Sequence, residues 1–223
     1  MQFNEESTVM RHVLFTPSSK DKYPKLPLII LLHGSGEVAK DKQRFLWSSF
    51  YYIMNNWNTE GFNAYVVYPQ LYGNFYDNVW CSKTSKNNLK NLIEHLIATE
   101  KIDPQRIVIA GSSLGAQGAQ YMAHEMPEYI SAQVVISGYH PQVDMSEVTI
   151  PTIAYIGTKE EGEAQGSINY TYGYFKSVFG SEKIIELPTS HGALPEVVFA
   201  LDENGDNRSD IIEWMLSQKR NYQ

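Results

Sequence analysis

Short runs of consecutive apolar residues recur along the chain, LIILL, IVIA and VVIS among them. A strand that is buried on both faces has this continuous apolar pattern, whereas a half-exposed strand alternates apolar and polar residues. The pattern therefore predicts a parallel sheet that is covered on both faces. The predicted strands are Val9–Phe15, Leu28–Leu32, Ala64–Tyr68, Arg106–Ala110, Gln133–Ser137, Thr152–Ile156 and Lys183–Leu187.

Longer segments with helical periodicity separate these runs. The clearest is Lys86–Lys101, where leucine and isoleucine recur at three- and four-residue spacing and Ser85 is placed to act as N-cap. The other predicted helices are Phe45–Trp57, Leu114–Glu125, Ser167–Phe179 and Asp210–Gln218. Strands that alternate with helices predict an α/β fold with a mostly parallel central sheet and helices on both faces. In such a fold the functional loops follow the carboxyl ends of the strands.

The length of 223 residues fits one domain, residues 1–223, with a substantial core. No insertion large enough to form a lid domain separates Ser137 from Thr152, so we expect an open site without a large lid. The longest apolar run, Leu26 to Leu32, is far too short to span a bilayer, which argues against a membrane protein. The N-terminal residues lack a basic patch followed by an apolar run, so we expect a cytoplasmic protein.

Composition removes several function classes. The formal net charge is -7 and the 18 Lys and Arg residues form no dense run, which disfavours a nucleic-acid partner. Cys81 is the only cysteine, so an intrachain disulfide and a four-thiolate zinc site are both excluded. We expect no organic cofactor and no resident metal.

The segment RIVIAGSSLGAQGAQ places the motif Gly111-Ser112-Ser113-Leu114-Gly115 between a predicted strand and a predicted helix. A sharp strand-to-helix turn forces its central residue into a strained backbone conformation, and flanking glycines relieve the crowding there. Such a turn lifts the Ser113 hydroxyl to the positive end of the following helix. The sequence therefore predicts that Ser113 is a nucleophile, against the alternative of a glycine-rich turn that only packs helix on strand.

With this turn and Leu31-Leu32-His33-Gly34-Ser35-Gly36-Glu37 in view, the chain resembles the α/β-hydrolase superfamily. More narrowly, it resembles the small carboxylesterases and the feruloyl-esterase-like "predicted peptidases". Further matching segments are Tyr68-Pro69-Gln70, Ile102-Asp103-Pro104-Gln105-Arg106-Ile107, Ile136-Ser137-Gly138 and Ser190-His191-Gly192. The resemblance implies an oxyanion hole formed by the backbone N–H groups of Ser35 (or Gly36) and Leu114.

A serine nucleophile needs a base, and the base needs an orienting carboxylate. The chain order that the resemblance implies is serine, acid, histidine. His191 follows the last predicted strand and is the expected base, whereas His140 precedes the strand that should deliver the acid. His33 comes before the serine and is interpreted as a histidine that supports its loop.

The acid is expected after the strand Thr152–Ile156. The family pattern places it three residues beyond Gly157, at Glu160, where relatives usually have aspartate. Glutamate is one methylene longer, so the loop must be arranged differently to present it. Glu161 and Asp144 stay as alternatives.

Two further segments carry weaker signals. An aromatic loop follows the Ala64–Tyr68 strand, and its Tyr76 and Trp80 are candidate walls of a substrate pocket, with ordinary loop packing an equal alternative.

Near the C-terminus, oxygen-bearing side chains match positions 1, 3, 5, 9 and 12 of a calcium-binding loop, namely Asp202, Asn204, Asp206, Asp210 and Glu213. Asn207 replaces the usual glycine and Ser209 the usual apolar residue. A polar turn that caps the last helix is therefore the favoured interpretation.

Together these features predict a serine hydrolase that cleaves carboxylic esters of small or soluble substrates through an acyl-enzyme intermediate. Ser113, His191 and Glu160 would form its catalytic triad, and its partner would be a small-molecule ester. A peptidase or a thioesterase with the same triad is the nearest alternative. A non-catalytic binding protein on a hydrolase scaffold is the alternative from another class.

Overall fold

The computed structural model describes residues 2–4 (backbone only), 10–38, 48–57, 62–71, 79–140, 143–159, 173, 184–200 and 210–220. Within these residues the chain forms one eight-stranded sheet. Its strands are β1 (Gln2–Asn4), β2 (His12–Phe15), β3 (Leu26–Leu32), β4 (Tyr65–Pro69), β5 (Ile102–Ser112), β6 (Ala132–Ile136), β7 (Thr152–Gly157) and β8 (Ile184–Leu187).

The strand order is β1-β2-β4-β3-β5-β6-β7-β8. In this order, each strand from β4 through β3 to β8 is parallel to the next. The strands β1 and β2 form an antiparallel edge on β4. The parallel strands therefore all end at the same edge of the sheet. The predicted α/β architecture with a mostly parallel sheet is confirmed.

Helices cover both faces of this sheet. The described helices are α1 (Ser49–Asn56), α2 (Lys83–Thr99), α3 (Leu114–Glu125), α4 (Leu194–Val198) and α5 (Asp210–Ser217). On one face, α1, α4 and α5 pack on alternate strand residues such as Ile29 and Leu31. On the other face, α2 and α3 pack on Leu28, Ile30 and Leu32. The consecutive apolar residues of β3 thus supply two cores, which is why the strand shows no polar alternation.

The boundaries depart from the sequence prediction at several places. The strand β1 was not predicted, and the strand expected from Val9 begins at His12. The cap of α2 is Ser82 rather than Ser85: the Ser82 side chain accepts a hydrogen bond from the N–H of Ser85, which lies inside the first turn. The apolar periodicity begins only at Leu89, so it does not reveal that turn. Most of the helix predicted at Ser167–Phe179 lies outside the described residues.

In the part of the chain that the structure describes, no helix has both the length and the apolar character that a transmembrane span requires.

Candidate active site

Ser113 lies at the junction between β5, which ends at Ser112, and α3, which begins at Leu114. Its backbone has φ 55° and ψ −116°, a conformation that residues with a side chain rarely adopt. The Ser113 N–H donates to the Ile136 carbonyl oxygen of β6 at 2.9 Å, which holds the turn against the sheet. Strain of this kind persists where the surrounding structure fixes it, and it concentrates at functional sites.

Two glycines make this turn sterically possible. A Cβ atom on Gly111 would collide with the backbone of Gly115, and a Cβ atom on Gly115 would collide with the carbonyl group of Leu32. The strand β5, the helix α3 and the end of β3 therefore meet at backbone contact distance around Ser113. The predicted reason for glycine on both sides of the serine is thus present in the structure.

The loop after β3 runs beside the nucleophile turn. A Cβ atom built on Gly34 would lie 3.6 Å from the Ser113 Cβ and 3.6 Å from the Ser112 carbonyl oxygen. Ser35 follows directly and begins a 3₁₀ turn at Ser35–Glu37. Leu114 is the first residue of α3, and the N–H groups of a first helical turn find no acceptor within the helix. The N–H groups of Ser35 and Leu114 therefore lie on elements that meet at Ser113.

His33 ties this loop to the neighbouring elements. It is fully buried, its Nδ1 lies 2.7 Å from the Gly34 carbonyl oxygen, and its Nε2 accepts the Leu71 N–H at 3.0 Å. An acceptor at Nε2 requires the proton to reside on Nδ1, which then donates to Gly34. Burial lowers the pKa of His33 to about 4, so the ring is neutral near pH 7. This geometry fits the supporting role predicted for His33.

His191 lies on the loop between β8 and α4 and is half-buried. It shares with Ser113 a cavity of about 190 Å³ at the carboxyl edge of the sheet. The cavity thus joins the predicted nucleophile, the predicted base and the loop expected to form the oxyanion hole. Its described lining consists of Gly34, Ser35, Gly36, Glu37, Ser49, Phe50, Ser112, Ser113, His191, Gly192 and Pro195.

Four of these residues have no role predicted from the sequence: Glu37, Ser49, Phe50 and Pro195. Glu37 adjoins the His-Gly-Ser-Gly motif, and that position was the available signal for it. Ser49 and Phe50 begin α1, and Pro195 lies in the first turn of α4. These two helices are 138 residues apart, counting from Asn56 to Leu194. No local motif indicates that they meet at one wall.

The predicted acids Glu160 and Glu161 lie outside the described residues. The described chain after β7 ends at Lys159, whose N–H donates to the Thr189 carbonyl oxygen at 3.1 Å. Thr189, which accepts this hydrogen bond, lies two residues before His191 in the sequence. Thr158 likewise donates to Leu187 at 2.8 Å. The segment that leads to Glu160 therefore runs alongside the loop that carries His191.

Asp144, the third candidate acid, lies elsewhere. It caps the 3₁₀ turn Met145–Glu147, and its Oδ1 accepts hydrogen bonds from the N–H and the hydroxyl of Ser146 at 2.9 and 2.6 Å. These bonds lower the pKa of Asp144, and the nearby His124 contributes in the same direction. His124 lies eleven residues beyond Ser113 on α3, roughly 16 Å along the helix. Asp144 therefore faces the far end of α3 rather than His191.

Of the two predicted pocket residues, Tyr76 lies outside the described residues and Trp80 requires a correction. Trp80 is fully buried and belongs to the core between α2, α3 and the sheet. Its Nε1–H donates to the His33 carbonyl oxygen at 3.0 Å, and its ring packs on His33 and on Gly118. Because none of its surface is exposed, it packs beneath the loop that begins at His33 and does not form a pocket wall.

The weak calcium prediction gains no support from the described part of the chain. Asp202, Asn204 and Asp206 lie outside it, whereas Asp210 and Glu213 are exposed acidic residues in the first turn of α5. No group of three or more potential metal-ligating side chains occurs among the described residues. Acidic side chains in a first turn also stabilise the positive end of a helix.

Comparison with known proteins finds similarity both in sequence and in structure. No family model matches the chain. The poly(3-hydroxyalkanoate) depolymerase C of Paucimonas lemoignei is 27% identical over 122 residues, which covers 50% of this chain and 28% of that protein. This chain therefore matches well under two thirds of the length of that relative.

Two solved structures illustrate the structural similarity. A thermostable esterase superposes with a TM-score of 0.69 at 20% identity, covering 98% of this chain and 62% of that one. The fluorophosphonate-binding serine hydrolase FphF of Staphylococcus aureus superposes with a TM-score of 0.68 at 13% identity, covering 96% and 97%. At such identities the likeness establishes the fold. The resemblance read from the His33-Gly34 and Ser113 motifs is confirmed at that level, and the chain has the α/β-hydrolase fold.

Proposed function

We propose that the protein is a serine hydrolase of carboxylic esters, with Ser113 as nucleophile and His191 as base. The observation that carries this proposal is the cavity in which the strained Ser113, His191 and the Gly34–Gly36 loop meet. A structural turn would need the glycines around Ser113 but would not need a histidine beside it. The names of the structural neighbours, an esterase and a serine hydrolase, agree with ester hydrolysis.

In the acylation step, Ser113 Oγ bonds to the ester carbonyl carbon while its proton passes to His191. The former carbonyl oxygen becomes negatively charged and accepts hydrogen bonds from the N–H groups of Ser35 and Leu114. Fixed N–H donors stabilise such an oxyanion by about 3–4 kcal/mol each. The carbon–oxygen bond to the alcohol then breaks, and the alcohol leaves with the proton from His191.

In the deacylation step, water takes the place of the alcohol. His191 removes a proton from the water as its oxygen bonds to the acyl carbon, and the same two N–H groups hold the second oxyanion. The bond to Ser113 Oγ breaks, Oγ recovers its proton from His191, and the carboxylic acid is released. The cycle restores every group and uses no cofactor.

We propose Glu160 as the carboxylate that orients His191. The hydrogen bond from Lys159 to Thr189 supports this choice because it brings the chain directly before Glu160 alongside the His191 loop. Asp144 is engaged by Ser146 at the far end of α3, which argues against it. Glu161 is the alternative that keeps the same loop.

Labelling with a fluorophosphonate probe tests the proposal, because such probes react with activated serines. We expect stoichiometric labelling of the wild type, no labelling of Ser113→Ala, and retained labelling of Ser112→Ala, the matched change at the adjacent serine. A folded wild-type protein that takes up no label would favour the non-catalytic binding protein. Turnover of p-nitrophenyl acetate, an acyl thioester and an aminoacyl amide would then rank esterase, thioesterase and peptidase activity.

A further inference from the structure

The segment Ile136-Ser137-Gly138 is used by none of the catalytic steps above. Ile136 is the last residue of β6, and it pairs with Ser112 of β5 and with Tyr155 of β7. Beyond it the chain leaves the sheet through a buried stretch from Ser137 to His140, which we call the β6 loop. The β6 loop lies directly against the nucleophile turn, as its contacts with Ser113 show.

Ile136 and the β6 loop hold the backbone of Ser113 at both of its polar groups. The Ser113 N–H donates to the Ile136 carbonyl oxygen at 2.9 Å. A Cβ atom built on Gly138 would lie 2.4 Å from the Ser113 carbonyl oxygen and 3.2 Å from its carbonyl carbon. Since the oxygen is the nearer of the two atoms, the Ser113 carbonyl group points toward Gly138. A side chain at position 138 would therefore displace that carbonyl group.

The Ser113 carbonyl group and the Leu114 N–H belong to one peptide unit. This unit is planar and trans, so the two groups point in opposite directions and can only turn together. The contact with Gly138 therefore also sets the direction of the Leu114 N–H, which is a proposed donor to the oxyanion. Such a donor stabilises the oxyanion only when it is aimed at the position of that oxygen.

Ser137 joins the two residues that contact Ser113, and its backbone is strained. Its φ is 46°, and Ser113 is the other residue with positive φ among the described residues that are not glycine. The Ser137 N–H donates to the Tyr155 carbonyl oxygen at 2.9 Å. This conformation bends the chain out of the extended path of β6 and brings Gly138 onto Ser113. Strain of this kind costs on the order of 1–3 kcal/mol and persists only where neighbouring contacts hold it.

Gln120 supplies contacts that hold the β6 loop. It is fully buried and lies on α3, seven residues after Ser113. Its Nε2 donates to the Gly138 carbonyl oxygen at 3.0 Å and to the Ala116 carbonyl oxygen at 2.9 Å. Its Oε1 accepts the His140 N–H at 3.3 Å. One amide group thus ties the β6 loop at two points to the helix that follows the nucleophile.

Hydrophobic packing does not require an amide at this position. The neighbouring buried side chains of α3 are apolar, namely Ala116, Ala119, Met122 and Ala123. Burying a polar side chain costs free energy unless it is hydrogen-bonded, so an apolar residue of similar size would pack at least as well. What the amide of Gln120 adds is a donor and an acceptor for a loop that has left the strand ladder.

We propose that Gly138 and Gln120 are positioning residues, which aim the Leu114 N–H at the oxyanion by fixing the peptide unit between Ser113 and Leu114. This inference rests on the ester hydrolysis proposed above. The contact at Gly138 sets the plane of the peptide unit, and Gln120 keeps Gly138 against it. Loss of either residue should slow the chemical steps and leave the binding of the ester unchanged.

Steady-state kinetics with p-nitrophenyl acetate test this role in Gly138→Ala and in Gln120→Met, which keeps a side chain of similar length without the amide. Removing a whole oxyanion donor lowers kcat by on the order of 10²–10³-fold, and a misdirected donor should lose part of that effect. We expect kcat to fall by roughly 10- to 100-fold in Gly138→Ala and by roughly 3- to 10-fold in Gln120→Met, with KM unchanged. An alkyl trifluoromethyl ketone, which forms a tetrahedral adduct with an activated serine, should bind more weakly by the same factors.

Gln133→Met is the matched control for Gln120→Met. Gln133 is also a fully buried glutamine, and its Nε2 donates to the Thr152 Oγ1 at 3.0 Å. It lies three residues before Ile136, about 10 Å nearer the amino end of β6. We expect kcat and the affinity for the ketone to stay at wild-type values in this variant. A merely structural role would change Tm alone in all three variants.

The proposal is overturned if folded Gly138→Ala and Gln120→Met keep wild-type kcat and ketone affinity, or if Gln133→Met shifts both as much as Gln120→Met does. If Gly138→Ala does not fold, Gln120→Met decides alone. Prolonged fluorophosphonate labelling separates the two proposals, because its end point reports an activated Ser113 whatever the rate. Labelled variants with wild-type kinetics remove the positioning role alone, whereas an unlabelled wild type removes the hydrolase.

Discussion

His33 and His191 each precede a glycine at the carboxyl edge of the sheet, yet their environments are opposite. His33 is fully buried, and both ring nitrogens contact backbone groups, Gly34 on one side and Leu71 on the other. His191 is half-buried and faces the cavity that contains Ser113. A ring that exchanges protons during a reaction must reach substrate and water, whereas a ring that holds a loop must exclude them. The same dipeptide thus occurs once in a buried environment and once at a cavity wall, as a supporting histidine and the proposed base would require.

The two rings also differ in the groups that would fix their tautomers. For His33, the backbone fixes the proton on Nδ1, because Nε2 accepts from the Leu71 N–H. As the proposed base, His191 would need the same tautomer to accept a proton from Ser113 at Nε2, and in serine hydrolases a carboxylate fixes that tautomer. Backbone groups give a permanent arrangement, while a carboxylate also stabilises the charged ring that forms during catalysis. The four predictions that follow test this difference, from the largest expected effect to the smallest.

Replacing the proposed catalytic base, His191, should abolish turnover and leave the fold intact. We expect His191→Ala to lower kcat for p-nitrophenyl acetate by on the order of 10⁴-fold or more, because Ser113 then lacks a base. Its Tm should stay within a few degrees of the wild type, since the ring is half-exposed. A loss of less than tenfold in a fully folded variant would contradict the assignment of His191 as base.

Removing the charge of the proposed orienting acid, Glu160, should have the next largest effect. Glu160→Gln keeps the length of the side chain but loses the carboxylate, so we expect kcat to fall by roughly 10²- to 10⁴-fold. Glu161→Gln is the matched control one residue away, and Asp144→Asn is the control at the far end of α3. Wild-type kcat in Glu160→Gln, combined with a large loss in Glu161→Gln, would move the role to Glu161.

The turn around Ser113 could be predicted from the sequence because its motif is contiguous. Gly111 and Gly115 lie two residues either side of the serine; Gly111 is required by the backbone of the turn itself, whereas Gly115 is required by the carbonyl group of Leu32 in β3. The helix Leu114–Glu125 has the predicted bounds for the same reason, since it starts where the turn ends. The parallel sheet was predictable because its inner strands β3, β4 and β6 are buried on both faces.

The residues that form the walls of the cavity could not be predicted from the sequence, because they are brought together by packing between segments that are far apart along the chain. Ser49 and Pro195 meet only because α1 and α4 pack on the same face of the sheet. Trp80 was assigned to a pocket because it is aromatic and follows a strand, but sequence alone does not distinguish an exposed ring from a buried one. Its N–H group finds an acceptor at His33, which permits full burial.

Replacing the buried histidine should weaken both stability and activity, in contrast to His191. His33→Ala leaves the buried Leu71 N–H without its acceptor and opens a space beside Trp80, so we expect the unfolding free energy to fall by roughly 2–5 kcal/mol. Displacement of the Gly34–Gly36 loop should lower kcat by roughly 10- to 100-fold. His33→Asn retains a donor for Gly34 and should lose less of both. Equal Tm values and equal kcat for the wild type and His33→Ala would contradict this role.

The last difference between the two histidines concerns pH. The pKa of His33 is lowered by burial to about 4 in the folded protein, against 6.5 in the unfolded chain. Between pH 6.5 and pH 4 the unfolded state therefore binds a proton that the folded state does not, and stability falls as the pH falls through this interval. The full shift corresponds to about 3 kcal/mol.

Denaturant titrations at pH 7 and pH 4 should show the wild type losing about this much more stability than His33→Asn, which lacks the titrating ring. His12 and His140, whose pKa values burial also lowers, contribute to both proteins alike and cancel in the difference. Equal losses in the two proteins would mean that His33 takes up a proton while still buried, and the neutral ring inferred from its two backbone contacts would then be wrong.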